Sequence, residues 1–218
     1  MTEKERLSAA LFIDGSNFYH SLKEMKKLPF DAEQFKILFD AVSCQYDLVH
    51  IFFYDAIKSS DEDPEGYSKQ QGFHARLKNI DSRLTIRTRK LKYIANITRE
   101  QVQSAAQRIG IVDDCKDKLF DLLTELRLVR LTKEKGIDIQ LVIDSIEEAR
   151  CGDVKVVILL SGDADFVPAV AHIKTYGIRT VNLHLYYGSS TELRNVCDEH
   201  GLMIIYDDDI QIRIYANP

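Results

Sequence analysis

The stretch Val156-Val157-Ile158-Leu159-Leu160-Ser161-Gly162-Asp163-Ala164-Asp165-Phe166 decides how this chain is read. Its first five residues are all apolar, so a strand made of them has no face to offer to water. That describes a central strand of a parallel sheet, covered on both sides. Ser161 and Gly162 break the run, and two aspartates follow with one residue between them. Open α/β sheets hold their ligands just beyond the carboxyl ends of the strands. Asp163 and Asp165 stand at such an end.

A second apolar run repeats the pattern. Ala9-Ala10-Leu11-Phe12-Ile13 closes on Asp14 and is followed by Gly15-Ser16-Asn17. A further acid, Asp138, comes two residues after Gly136 in Lys135-Gly136-Ile137-Asp138-Ile139, at the start of a helix. Carboxylates converging from three stretches without basic partners repel one another, so something cationic should share the site. Oxygen-only ligands point to Mg²⁺ or Mn²⁺. Each acid also has a plainer reading, because Asp-Gly is common in turns and acids favour helix N-termini. The argument for a shared site is their joint occurrence at comparable ends of successive elements. Asp144 is a weaker candidate: six residues along a helix carry it about 240° around the axis from Asp138.

Around these acids, Asn17 can face the same crevice from a first helical turn. Ser161 and Ser190 offer hydroxyls to a phosphate or a water. Phe18 or Tyr19 is available to stack a base. His20 is the histidine to inspect near the crevice, while His50, His74, His172, His184 and His200 read as core or surface residues.

Along the chain, strands are expected at 8–14, 48–54, 83–89, 154–160, 178–184 and 202–206. Helices are expected at 16–26, 32–43, 67–79, 137–149, 165–175 and 190–199. Strands alternating with helices imply a central, mostly parallel sheet with helices on both faces, an α/β fold. The rhythm changes at about 95–132. Two helices (98–109 and 114–127) and a short strand (128–131) there read as a helical insertion or a cap. The tail after Asp207-Asp208-Asp209 is the least readable part.

At 218 residues the chain fits one large domain, and no apolar stretch approaches the roughly 18–20 residues of a membrane helix. Four scattered cysteines lack metal-ligand spacing, which suits free thiols in a reducing cytoplasm and argues against zinc. A net charge of −5 argues against a broad basic surface that coats nucleic acid. It leaves room for a local basic rim. Candidates are Arg87-Thr88-Arg89-Lys90-Leu91-Lys92, Lys23 with Lys26 and Lys27, and Lys133 with Lys135.

On Leu11-Phe12-Ile13-Asp14-Gly15-Ser16-Asn17, Lys135-Gly136-Ile137-Asp138 and Leu160-Ser161-Gly162-Asp163-Ala164-Asp165-Phe166, the chain resembles the NYN-domain proteins. These form a branch of the PIN-like (FLAP/PIN) nuclease superfamily that includes a LabA-like group. A looser echo follows at Tyr176-Gly177-Ile178-Arg179-Thr180-Val181 and Ser189-Ser190-Thr191-Glu192-Leu193. The resemblance spans nearly the whole chain as a single domain, with the block 95–132 as an elaboration. It implies a Rossmann-like PIN fold, a divalent cation (Mg²⁺ or Mn²⁺) and endonucleolytic cleavage of RNA. Asp14, Asp138, Asp163 and Asp165 match the family's acidic positions and Asn17 its asparagine. One or two ions held there would activate a water for in-line attack on the phosphodiester. A narrow crevice without a broad basic face favours single-stranded RNA. The oligomeric state, a homodimer included, stays open.

Other enzymes fit less well. A haloacid-dehalogenase phosphatase needs Asp-x-Asp after the first strand, a Toprim site needs a glutamate there, and a dinucleotide-binding domain needs GxGxxG. The serious rival is a non-catalytic nucleic-acid-binding or regulatory module that keeps the fold and the acidic pocket.

Overall fold

The computed structural model describes residues 6–95, 97–111, 113–126, 128–133, 136–151, 153–207 and 209–217. Lys135 and Asp208, named above, lie outside the described residues, as does the side chain of Lys133. In chain order the elements are β1 (Ser8–Asp14), α1 (Gly15–Glu24), α2 (Ala32–Ser43), β2 (Asp47–Ile57), α3 (Pro64–Ile80), β3 (Leu84–Lys90), β4 (Lys92–Ala95), α4 (Arg99–Arg108), α5 (Asp113–Glu125), β5 (Arg130–Lys133), α6 (Ile137–Cys151), β6 (Val156–Leu160), a 3₁₀ turn (Ala164–Phe166), α7 (Val167–Lys174), β7 (Arg179–His184), α8 (Thr191–Val196), β8 (Glu199–Ile205) and β9 (Ile210–Ala216). They form two compact units, one of residues up to 89 and from 136 onward, the other of residues 90–135.

The first unit is built on a seven-stranded sheet in the order β3-β2-β1-β6-β7-β8-β9. The pairs β2–β1, β1–β6, β6–β7 and β7–β8 are parallel, and β8–β9 is antiparallel. Side chains alternate across the pleat and divide the core in two. Leu11, Ile13, Ile158 and Leu160 meet α1 and α2 through Phe18, Leu22, Leu38 and Phe39 on one face. Phe12, Tyr54, Val157 and Leu159 meet Ile137 and Leu141 of α6 and Val170 of α7 on the other. Burial on both faces is why β1 and β6 are unbroken apolar runs.

Chain order makes the sheet turn at one place. From β1 the chain goes to β2 on one side, while β6 lies on the other, so the carboxyl ends of β1 and β6 flank a topological switch point. Several expected boundaries differ: α1 ends at Glu24 rather than 26, β2 extends to Ile57 rather than 54, β5 spans Arg130–Lys133 rather than 128–131, and β8 begins at Glu199 rather than 202. The helix expected over 190–199 stops at Val196, because Asp198 has already joined the sheet: its backbone N–H donates to Thr180 O (3.0 Å). The tail forms β9, an edge strand in which Ile210, Ile212 and Ile214 alternate with Gln211, Arg213 and Tyr215.

In the second unit β4 and β5 pair as a short antiparallel ladder from Lys92↔Lys133 to Ala95↔Arg130. Thr98 and Gln101 form a capping box at the start of α4. The Arg99 guanidinium lies 4.5 Å from the Phe120 ring centre and pairs with Asp117 of α5 (2.6 Å). Val102, Ala106 and Val129 are the buried apolar residues among those described in this unit.

Candidate active site

Asp14 is the last residue of β1 and is only 6% exposed. Its Oδ1 accepts from the backbone N–H of Asn17 (3.1 Å), so the acid also caps α1. Its Oδ2 accepts from the Ser161 hydroxyl (2.9 Å), 147 residues away. These bonds to an ionised acceptor offset part of the cost of burying a carboxylate. Ser161 in turn accepts from the Asp163 backbone N–H (3.1 Å), and Asp163 Oδ1 accepts from the backbone N–H of Asp165 (2.9 Å). The turn and capping readings therefore hold for both Asp14 and Asp163. They hold inside one hydrogen-bonded chain that joins the ends of β1 and β6.

Gly162 is the stitch point of that edge. Its N–H donates to Asn17 Oδ1 (2.8 Å) and its carbonyl accepts from Ser190 N (2.9 Å). A Cβ at position 162 would sit 1.4 Å from the carbonyl oxygen of Gly188, so only glycine lets the two loops close. Ser190 caps α8 by accepting from Leu193 N (3.2 Å), and its backbone is fastened to the site loop. Behind these loops, fully buried Asn182 donates to the carbonyls of Leu159 (3.1 Å) and Ser161 (2.8 Å), fixing where β6 leaves the sheet. The site candidates above do not include Asn182. An amide inside the apolar strand Thr180-Val181-Asn182-Leu183 is the signal that marks it.

Helix α1 crosses the carboxyl ends of the strands. Asn17 meets Gly162 beyond β6, Ser21 lies beside Gly188 beyond β7, and Lys27 reaches Asp207 beyond β8 (3.9 Å). Lys23 and Lys26 are exposed along that path. Phe18 is unavailable to a base: it is buried against Phe30 and Phe35, ring centres 5.1 and 5.8 Å away. Tyr19 and His20 are exposed.

Asp138 is exposed in the first turn of α6. That helix ends shortly before β6 begins, so it runs antiparallel to the strand and starts at the carboxyl edge. Asp144 is hydrogen-bonded on both carboxylate oxygens. Its Oδ2 accepts from the Tyr54 hydroxyl (2.9 Å) and from Arg87 (3.2 Å), and its Oδ1 from Gln140 (2.8 Å). Burial, the negative charge of Asp144 and its hydrogen bond push the Tyr54 phenol well above its ordinary pKa. Arg89 donates to Gln140 (2.9 Å), so two residues of the expected basic rim are tied to α6. Asp165 is exposed on the 3₁₀ turn.

The donors at this edge are oxygens, which suits a hard divalent cation in chemical type. Among the described residues, however, no three His, Cys, Asp or Glu side chains lie close enough together to hold one. The acids share an edge rather than a ready-made ligand set.

Among the described residues no helix is long and apolar enough to cross a membrane. A comparison with curated proteins returns no match. Among solved structures, the chain is similar to a protein of unknown function from Vibrio parahaemolyticus RIMD 2210633. The two share 23% identity over 96% of this chain and 99% of that one, with a TM-score of 0.58. That likeness bears on the fold. The family model for the NYN domain matches residues 8–203, and the chain belongs to the NYN domain family.

Proposed function

We propose that this protein is a metal-dependent endoribonuclease that hydrolyses phosphodiester bonds in single-stranded RNA. The family suggests nuclease-like chemistry. The observation that carries the finer reading is the buried carboxylate of Asp14, hydrogen-bonded to Ser161 at the switch point and linked through it to Asp163. Capping α1 uses one oxygen of Asp14, and the bond to Ser161 ties the other to the end of β6.

Asp14, Asp138, Asp163 and Asp165 would hold Mg²⁺ or Mn²⁺. When bound, the cation supplies charge for the phosphodiester oxygens and an activated water. The chain's own residues do the rest. Ser161 holds Asp14 in place, Asn17 fixes Gly162, and Ser190, whose backbone is fastened to the same loop, would offer its hydroxyl to a phosphate oxygen. In-line hydrolysis there would break the P–O3′ bond and leave a 5′-phosphate and a 3′-hydroxyl.

Purified protein should cut single-stranded RNA with Mg²⁺ or Mn²⁺, and EDTA should stop it. Asp163→Asn should lose roughly 100-fold or more of the rate. Equal trace cleavage by wild type and Asp163→Asn would assign the activity to a contaminant. The second reading, a non-catalytic nucleic-acid-binding or regulatory module, would then stand. What favours it is that Asp14 and Asp163 are occupied as caps and that, among the described residues, no three acids gather around one point.

A further inference from the structure

Past β7 the chain makes an exposed aromatic turn at the rim of this site. Leu185 is buried, and the next two residues, Tyr186 and Tyr187, are 76% and 52% exposed. Their rings touch edge to face, with centres 5.4 Å apart. Single exposed apolar residues are ordinary on protein surfaces. Two touching aromatic rings turned to water on an anchored loop are a different matter.

The loop is anchored on both sides. Gly188, at φ +71, turns the chain so that its carbonyl lies against Gly162. Arg194 donates to the Ser189 hydroxyl and carbonyl and to Thr191 Oγ1 (2.9 Å). Tyr187 shares the wall of a cavity of about 10 Å³ with Asn17, Ser161 and Gly162, room for one water. The backbone is thus held by the same contacts that hold the Asp163 loop, while two rings stay uncovered beside it. Helix α1 adjoins this loop where Ser21 lies beside Gly188, and it carries exposed Lys23, with exposed Lys26 just past its end. Exposed aromatic faces with cations on the neighbouring helix suit a flexible strand of stacked bases and phosphates.

We propose that Tyr186 and Tyr187 form a base-stacking platform that seats single-stranded RNA beside the aspartate edge. The inference rests on the nuclease reading for the identity of the strand. Stacking uses the π-face that every base has, so the platform selects for unpaired nucleotides and tolerates sequence. It positions the strand and takes no part in bond breaking.

The test is binding by full-length wild-type protein in EDTA, read by fluorescence anisotropy with a labelled RNA of about ten nucleotides. Replacing both tyrosines by alanine should weaken binding roughly 10- to 100-fold. Tyr186→Phe with Tyr187→Phe should stay within about twofold, since the ring faces remain. An abasic probe of the same length and charge should bind wild type weakly and be indifferent to the alanine change. Tyr176→Ala, an exposed tyrosine just before the amino end of β7, should bind as wild type does. Equal affinity of wild type and the double alanine variant for base-bearing RNA overturns the platform. If that RNA is nonetheless cut in an Asp163-dependent way, the nuclease reading survives alone. Tyrosine-dependent binding without cleavage leaves the platform standing and removes the catalysis. If the alanine variant loses its circular dichroism, the phenylalanine variant and the abasic probe decide: strong abasic binding by wild type sinks the proposal.

Discussion

The two units of this chain solve the burial problem in opposite ways. In the first, β1 and β6 are covered on both faces, and every residue from Ala9 to Ile13 is sealed from solvent. In the second, a two-stranded ladder and two helices bury little. Leu122, Leu126 and Leu128 each remain about half exposed or more, and Ile109 more still. A two-stranded hairpin alone is marginal in water. The second unit's described polar contacts centre on Arg99, with Asp117, Asp121 and the Phe120 ring. Among the described residues the larger apolar core lies in the first unit, which also carries the acidic edge. Loops bonded across 145 residues, as Asn17 is to Gly162, are only as well placed as the strands beneath them.

That contrast can be broken first where it is steepest. Phe12 is fully buried and stacks on Phe52, with ring centres 4.9 Å apart. Phe12→Ala should cost about 3–5 kcal/mol, through lost transfer energy and the cavity left behind. For a chain of this size that is a drop of roughly 10 °C in melting temperature. A drop of only a degree or two by calorimetry would mean the sheet is not the seat of stability. Next comes Gly162→Ala. The new methyl must push the Gly188 carbonyl aside, an overpacking cost of about 1–3 kcal/mol. RNA cleavage should fall further than the melting temperature suggests, because the displaced loops carry Asp163, Ser190 and Tyr187. Wild-type activity in that variant would show that the stitched edge is not where chemistry happens.

The same contrast explains what could be read from the sequence. Strands of the first unit were legible because burial on two faces demands unbroken apolar runs, as in Val156–Leu160. The ends of those runs located Asp14 and Asp163. Less legible was anything set by contact between distant stretches. That Asp144 serves Tyr54 and Arg87 depends on where α6 lies over β2, which no local spacing encodes. Of the two rings available by sequence to stack a base, Tyr19 is exposed, whereas the helix turns Phe18 into the core against Phe30 and Phe35. The tyrosines at 186 and 187 directly follow buried Leu185, and nothing in the local sequence marks them as surface. In β9, period-2 alternation was present but masked by the acidic stretch before it.

The smallest effect is expected in the second unit, and it is the most discriminating. Leu122, on α5, is 53% exposed. In this state its truncation removes little buried area, so Leu122→Ala should change stability by about 0.5 kcal/mol or less. Alanine also has the higher helix propensity, which offsets part of even that loss. An effect approaching that of Phe12→Ala would show that the apolar face of α5 is covered in solution and that the unit contributes to a core. An effect near zero leaves residues 90–135 as a satellite whose helices are held by the Arg99 cluster. Raised salt should then weaken that unit's protection from amide exchange while leaving β1 and β6 unchanged, because ion pairs exposed to solvent are screened and buried strands are not.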